Sequence, residues 1–220
     1  MRARLTRDQM AARAAREIHD GMYVNLGIGI PNLIPEYLTG VDVVIHSENG
    51  LLGMGPMAPV GEEDPDLVNA AKQAVLVAPG GAICSQAESF AIIRGGHLDM
   101  TVLGAFQVSA TGDIANWAIP GGKRVPGVGG AMDLVAGTGS VMVTMTHNNR
   151  DGSPKVVEEC DYPLTGRGCV KTIVTDLAVI RVTTNGLVLE EVAPGFTAVE
   201  VQAATGARLM VSPELTEIAI

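Results

Sequence analysis

The sequence predicts an α/β protein with a single open, mostly parallel sheet flanked by helices. Short apolar runs that end in glycine-rich turns alternate with stretches of helical periodicity, which is the pattern of strands connected by helices. Only 3% of the 220 residues are aromatic, so Val, Ile, Leu, Ala and Met must fill the core, as they do around buried parallel strands. No linker-like break interrupts the pattern, and we predict one domain over residues 1–220.

Capping boxes and apolar periodicity place the elements in order. Thr6 with Gln9 and Ser85 with Glu88 have the spacing in which a hydroxyl caps a helix start and the later side chain bonds back. Helices are predicted over residues 6–21, 32–38, 66–73, 85–94 and 198–203. Strands or strand-like apolar runs are predicted over residues 22–26, 41–46, 74–77, 100–103, 113–117, 141–146, 170–182 and 187–192. The glycine-rich segment 51–59 is predicted to be a loop.

Charge, hydropathy and cysteine content exclude several classes of protein. A formal net charge of −9 argues against binding to a nucleic-acid backbone, which needs a basic surface. Glycine, proline or charge interrupts every apolar run before the roughly 20 residues that a membrane span needs. Cys84, Cys160 and Cys169 form no CxxC pair, which predicts free thiols in the cytoplasm and neither a disulfide framework nor a structural zinc site.

Glu48 is the strongest candidate for a chemical role. It follows the β-branched run 41–46, and sites in open α/β sheets lie outside the carboxyl ends of strands. The glycines that follow it would let backbone approach whatever the carboxylate faces. A carboxylate in this position can act as a base, a nucleophile or a metal ligand, and a solvated turn is the alternative.

Two glycine-rich segments are candidate anion sites. Gly27-Ile28-Gly29 lies between a predicted strand and a predicted helix, where backbone amides can face a phosphate or an oxyanion. It lacks the third glycine of a dinucleotide fingerprint, and a tight turn is the alternative. The glycines of segments 121–122 and 127–130 bracket Lys123 and Arg124, which indicates either a cradle for an anion or a surface loop.

The four histidines show no metal-ligand spacing, so no metal site is predicted. His46 precedes Glu48 by two residues, and a strand would place both side chains on one face. We interpret His46 as a packed histidine at a strand end, with tuning of Glu48 as the alternative.

Seven segments spread over nearly the whole chain carry a resemblance to a known family. They are residues 25–31, 47–56, 94–99, 103–108, 112–117, 127–134 and 162–166. Segment 47–56, SENGLLGMGP, resembles the glutamate signature of family I coenzyme A transferases. The whole set is most similar to the B subunits of the 3-oxoacid CoA-transferases, with the 3-oxoadipate branch nearly as similar.

The resemblance implies a fold and a mechanism. The fold would be CoA-transferase-like, of the sugar-phosphate isomerase type. Glu48 would attack an acyl-CoA and form a glutamyl-CoA thioester, which gives ping-pong transfer of CoA between succinyl-CoA and a 3-oxoacid. CoA thioesters would be the substrates, with no metal or redox cofactor. Segment 116–120 favours acetoacetate over 3-oxoadipate as the acceptor.

The resemblance also implies which residues bind. Besides Glu48, those expected to contact CoA or the oxyanion are Gly27, Gly29, Asn49, Gly50, Gly129 and Gly130. Because the net charge of −9 does not recruit anionic substrates, Lys123 and Arg124 are predicted as anion contacts, with Arg94 as a further candidate. Pro126 stands where acetate-type relatives have a polar residue that contacts CoA, so no contact is assigned to it.

The chain looks like half of an enzyme. The Gly-Gly-Phe signature of the family's partner subunit is absent, so the resemblance implies an A subunit as partner in an A2B2 heterotetramer. The alternatives are an isomerase-like enzyme that uses Glu48 as a proton-transfer base, and a CoA-binding subunit without catalytic function.

Overall fold

The computed structural model describes residues 3–121 and 127–220. Within them the α-helices are α1 Arg7–Ala15, α2 Gln86–Arg94, α3 Ala131–Gly137 and α4 Ala198–Ala204, with a 3₁₀ helix at Pro31–Tyr37. The strands are β1 Tyr23–Leu26, β2 Val44–Ser47, β3 Leu51–Met57, β4 Val75–Ile83, β5 Leu98–Leu103, β6 Gln107–Ser109, β7 Ile114–Ala115, β8 Thr138–Met145, β9 Val156–Val157, β10 Val170–Thr175, β11 Ala178–Thr183, β12 Gly186–Val192 and β13 Leu209–Glu217.

In the described part of the chain, ten strands form one sheet in the order β13-β12-β11-β10-β8-β5-β1-β2-β3-β4. The five strands from β10 to β2 are parallel throughout. Antiparallel pairings occur only in the outer parts of the sheet as described. The predicted α/β class and mostly parallel sheet are therefore confirmed. A small second sheet contains β7, which lies within the predicted strand 113–117, together with β6 and β9, which the sequence did not predict.

Burial on both faces explains the continuous apolar runs of the central strands. In β8, Val141 and Val143 belong to one apolar cluster, while Met142 between them belongs to the other. A strand covered on both faces has no solvent side and therefore no polar alternation. The predicted capping boxes at Thr6 and Ser85 both form, and each opens its helix as expected.

Segment 66–73 is not the predicted helix. The side-chain Oδ1 of Asn69 accepts the backbone N–H groups of Ala71 at 2.9 Å and Gln73 at 3.0 Å, and Lys72 adopts a φ of +63°. An asparagine that binds nearby backbone in this way offers the chain an alternative to helical hydrogen bonds. The segment is a turn that leads into β4.

Segment 51–57 is strand β3 and not a loop. Gly53 has a φ of +81°, and a Cβ there would lie 2.8 Å from Cα of Gly81 in β4. The glycines that suggested a loop therefore allow two strands to approach closely at an irregular pairing.

Three further differences from the predicted elements have simple causes. The predicted run 170–182 divides into β10 and β11, because Thr175 Oγ1 accepts the N–H groups of Leu177 and Ala178 and turns the chain. Helix α3 was not predicted because it is short and has little apolar periodicity. Strand β13 was not predicted because most of its side chains are exposed.

An ion-pair network centred on the buried Arg13 fixes α1 to the sheet. Arg13 binds both carboxylate oxygens of Glu191 in β12 at 2.8 Å and Glu17 at 2.9 Å. Burial would raise the pKa of Glu17, but hydrogen bonds from Arg181 and Arg13 hold it below its usual value. The side chain of Arg13 is only 6% exposed, whereas that of Arg181 is 32% exposed.

Replacement of Arg13 by alanine should destabilise the fold, because it leaves the carboxylate of Glu191, which is only 21% exposed, without its partner. We expect Arg13→Ala to lower the free energy of unfolding by about 2–3 kcal/mol, because Arg13 is buried while its partners keep some contact with water. Arg181→Ala, at the more exposed end of the network, should cost about 1 kcal/mol or less. Urea unfolding of the full chain and both variants measures the difference, and equal losses would contradict it.

Candidate active site

The carboxyl ends of β1, β2 and β5 meet at one edge of the sheet because the three strands are parallel. A cleft of about 240 Å³ lies at this edge. Its wall includes Asn25 in β1, Gly27 after it and Glu48 after β2, together with Asn116 and Gly130 from later segments. Glu48 thus lies where its position after a buried strand predicted a site.

Glu48 is half-buried in this wall. Burial raises the pKa of its carboxyl group, a hydrogen bond from the N–H of Gly130 lowers it, and the negative charge of Asp133 raises it. Together these effects raise the pKa of Glu48 above its usual value. A carboxylate that has lost part of its hydration is a stronger base and nucleophile than one in water.

Gly130 has no room for a side chain. A Cβ at this position would overlap the carboxylate of Glu48 and lie 2.8 Å from Cζ of Phe90. The backbone angles, φ −87° and ψ 2°, are open to residues with side chains. Glycine is therefore required because no side chain fits at this position. The lack of a side chain lets the backbone N–H reach the carboxylate.

Gly27 and Gly29 have different environments. The N–H of Gly27 donates to the carbonyl of Val102 at 2.9 Å, and a Cβ there would lie 3.0 Å from the side chain of Leu103. Gly27 lines the cleft. Gly29 adopts a φ of +103°, which favours glycine, and lies outside the described cleft wall.

Asn49 and Gly50 shape the turn that carries Glu48. The Asn49 side chain donates to the carbonyl of Val68 and accepts from the hydroxyl of Ser47, both at 2.6 Å. Gly50 has a φ of +120°, and its carbonyl accepts the N–H of Cys84 at 2.9 Å. Neither residue belongs to the described cleft wall, and these bonds tie the turn to the segment around Val68 and to the residue after β4.

A buried polar network lies behind the cleft. His46 is fully buried, with Nε2 2.8 Å from the hydroxyl of Ser89 and Nδ1 3.1 Å from Nδ2 of Asn25. Asn25 Nδ2 also donates to the carbonyl of His46, and Asn25 Oδ1 accepts from the hydroxyl of Thr101. Burial lowers the pKa of His46 to about 4. His46 is thus a packed histidine, as interpreted from the sequence.

The cleft brings together Glu48, Gly27, Gly129 and Gly130 from the predicted site residues. Lys123 and Arg124 lie outside the described residues. Arg94 is exposed and pairs with Asp133, its Nε lying 2.6 Å from the carboxylate.

Three residues at the site were missed by sequence reasoning. Because α2 and α3 pack together, the Phe90 ring lies beside Gly130 and the charge of Asp133 acts on Glu48; no local pattern signals this proximity. Asn116 lies in a segment that carried the resemblance, and its side chain donates to Gly104 and accepts from Thr165.

The described residues offer neither a metal cluster nor a helix suited to a membrane. Among them, no group of three or more His, Cys, Asp or Glu side chains could hold a metal ion. None of the described helices is long and apolar enough to cross a membrane.

A half-buried carboxylate, a backbone amide and a glycine-lined cleft define an α/β protein equipped for carboxylate chemistry at a sheet edge. Comparisons with known proteins narrow this class. The sequence matches the family model described as coenzyme A transferase over residues 7–204. It is 52% identical to the B subunit of the 3-oxoadipate CoA-transferase from Pseudomonas putida, over 94% of this chain and 97% of that one.

A second named relative is also a CoA-transferase B subunit, and a solved structure has the same fold. The chain is 47% identical to the B subunit of the succinyl-CoA:3-ketoacid coenzyme A transferase from Helicobacter pylori, over 93% of this chain and 99% of that one. An acyl-CoA transferase from Escherichia coli O157:H7 shares the fold, with a TM-score of 0.78 and 22% identity over 98% of this chain and 43% of that one. The chain belongs to the coenzyme A transferase family, which confirms the resemblance.

Replacement of Gly130 by alanine should abolish most activity without unfolding the protein. The added methyl group would displace the Glu48 carboxylate and block the amide beside it, whereas the backbone angles tolerate alanine. We expect a fall in kcat of about 100-fold or more, the usual consequence of losing one such donor. Steady-state kinetics and the thermal midpoint are the measurements; a variant with full activity would contradict the role of this amide.

Protonation of His46 should weaken the fold as the pH falls. The ring is neutral in the folded chain, where its pKa is about 4, and binds a proton near pH 6.5 when unfolded. The unfolded state therefore binds more protons between these values, and the free energy of unfolding should fall by about 3 kcal/mol from pH 6.5 to 4 through this group.

Urea unfolding of the full chain and of His46→Gln across that pH range isolates this effect. Glutamine does not titrate, so the variant should lose less stability on acidification than the parent. Identical pH dependence of the two proteins would show that His46 does not titrate as described.

Proposed function

We propose that this chain is the subunit of a CoA-transferase that carries the nucleophile, and that the enzyme moves CoA between succinyl-CoA and a 3-oxoacid. The observation that carries the proposal is the half-buried carboxylate of Glu48 against the N–H of Gly130 in the cleft. The Pseudomonas and Helicobacter relatives are named as B subunits of such transferases, which supports the reaction class.

The reaction proceeds by carboxylate and thiolate attack. A carboxylate oxygen of Glu48 attacks the thioester carbonyl of the acyl-CoA, and the CoA thiolate leaves, which gives a mixed anhydride. The thiolate then attacks the Glu48 carbonyl carbon, and the acid departs as a carboxylate. The product is a glutamyl-CoA thioester, and a second carboxylate reverses the two steps. These reaction steps balance without a metal, an oxidant or a net proton transfer.

The N–H of Gly130 would act as a hydrogen-bond donor in each addition step. Each attack creates a tetrahedral oxyanion, and a fixed backbone N–H stabilises that charge without reorganisation. Before the reaction the same N–H binds the Glu48 carboxylate. A second donor would come from the partner subunit.

The acceptor acid is proposed to be acetoacetate, with 3-oxoadipate as the alternative. The resemblance in segment 116–120 favours acetoacetate, while the Pseudomonas relative is named for 3-oxoadipate. Asn116 lines the cleft, but its side chain is bonded to Gly104 and Thr165. No lysine or arginine lies in the described cleft wall, so a cation for a free carboxylate would come from segment 123–124 or from the partner.

The proposed partner is an A subunit, in an A2B2 assembly in the cytoplasm. The names of the relatives imply A subunits for those proteins. Beside the cleft, Ile28 is 66% exposed and Met132 is 39% exposed, and a partner that covers them would bury apolar surface and close the site. Three free cysteines among the described residues suit a reducing compartment.

Intact-mass spectrometry of the chain, purified with its A subunit and incubated with acetoacetyl-CoA, tests the mechanism. We expect an adduct of CoA less one water on the Glu48 peptide, because a thioester forms with loss of a carboxylate oxygen. Glu48→Gln should give none. Asp133→Asn is the matched control, since it removes the neighbouring carboxylate but keeps the nucleophile, and it should still form the adduct.

Discharge of the adduct identifies the acids. Succinate and acetoacetate should each remove it, and 3-oxoadipate should do so more slowly if acetoacetate is the acceptor. An adduct that persists in Glu48→Gln, or none in the assembled parent enzyme with several acyl-CoAs, would refute Glu48 as nucleophile and favour the isomerase-like or CoA-binding alternatives.

A further inference from the structure

The imidazole of His46 has a single arrangement of hydrogen bonds. The Nδ2 of Asn25 can only donate, so Nδ1 of His46 accepts from it at 3.1 Å. The proton of the neutral ring is therefore on Nε2, which donates to the hydroxyl of Ser89 at 2.8 Å. His46, Ser89 and Thr101 are fully buried, and Asn25 is 2% exposed, so water cannot replace a partner that is lost.

These bonds connect β1, which contributes to the cleft wall, with β2, which leads to Glu48, and with α2. His46 lies in β2, two residues before Glu48, and Asn25 in β1 forms part of the cleft wall. Ser89 lies in α2 directly before Phe90. A Cβ on Gly130 would touch both the Phe90 ring and the Glu48 carboxylate, so these two groups flank the same amide.

We propose that His46 is a positioning residue for the nucleophile. Its two ring nitrogens fix β2 relative to Asn25 in the cleft wall and relative to helix α2, which carries Phe90. The proposal rests on the proposed role of Glu48. Attack on a thioester requires the carboxylate oxygen to be within about 3–3.5 Å of the carbonyl carbon, and a misplacement of about 1 Å lowers the rate by roughly 100-fold. Loss of either ring contact should therefore slow the chemical step more than it weakens substrate binding.

A second buried histidine supplies a matched control. His147 is also fully buried, with its ring nitrogens 2.9 and 2.8 Å from the hydroxyls of Thr175 and Thr205. None of these three residues belongs to the described cleft wall. Substitution of His147 therefore removes a similar buried ring and similar hydrogen bonds at a distance from the nucleophile.

Four variants of the chain, each assembled with its A subunit, test the proposal. Ser89→Ala removes only the partner of Nε2 and should lower the rate at which the Glu48–CoA adduct forms in a single turnover about tenfold. His46→Leu should lower this rate about 100-fold. The KM for acyl-CoA should change less than threefold in both. His46→Gln places an amide donor near the position of Nε2, so it should recover most of the rate lost in His46→Leu. His147→Gln should keep the parent rate.

The outcomes separate the two proposals. If the parent enzyme forms no adduct, the proposed function fails. If the parent forms it and Ser89→Ala matches the parent rate, the positioning role of His46 is refuted, even where His46→Leu does not fold. Equal rate losses in Ser89→Ala and His147→Gln would also refute it, because they would reflect general loss of packing. A rate loss confined to the Ser89 and His46 variants supports the proposal.

Discussion

The close contact between a carboxylate and a backbone amide determines the rest of this site. The Glu48 carboxylate occupies the space that a Cβ on Gly130 would fill, and the Phe90 ring lies against the same position. Burial raises the pKa of this carboxyl group, while the N–H of Gly130 lowers it and so stabilises the ionised form. The contact also supplies an N–H donor fixed by the fold, which is the property that stabilises an oxyanion without reorganisation.

Two sets of hydrogen bonds hold Glu48 at that contact. On the outer side, the side chain of Asn49 and the carbonyl of Gly50 bind the neighbouring turn and the residue after β4. On the inner side, His46 binds Asn25 and Ser89 in a buried region. A nucleophile on a turn would otherwise be mobile. Hydrogen bonds on both sides of the turn hold Glu48 in position as firmly as if it lay in a strand.

The distribution of charge makes the site dependent on groups outside its described wall. The chain has a net charge of −9, and Arg94 is already paired with Asp133. The described cleft wall contains no lysine or arginine, and the side-chain amides of Asn25 and Asn116 are already bonded within the protein. Full recognition of a charged CoA ester therefore calls for further cations, and an apolar rim at Ile28 suits a cover supplied by another chain.

The sequence by itself determined the α/β class, the capped helices and the position of Glu48 after a buried strand, because these follow from periodicity and local hydrogen bonding. The family resemblance added the prediction of a role for Gly130. Tertiary structure alone decided that Phe90 lies beside the contact of Glu48 with Gly130, that the charge of Asp133 acts on Glu48, and that His46 faces Ser89. It also turned segment 66–73 away from a helix. Such contacts join residues far apart in sequence, and their energies depend on packing and burial, which no local pattern of residues records.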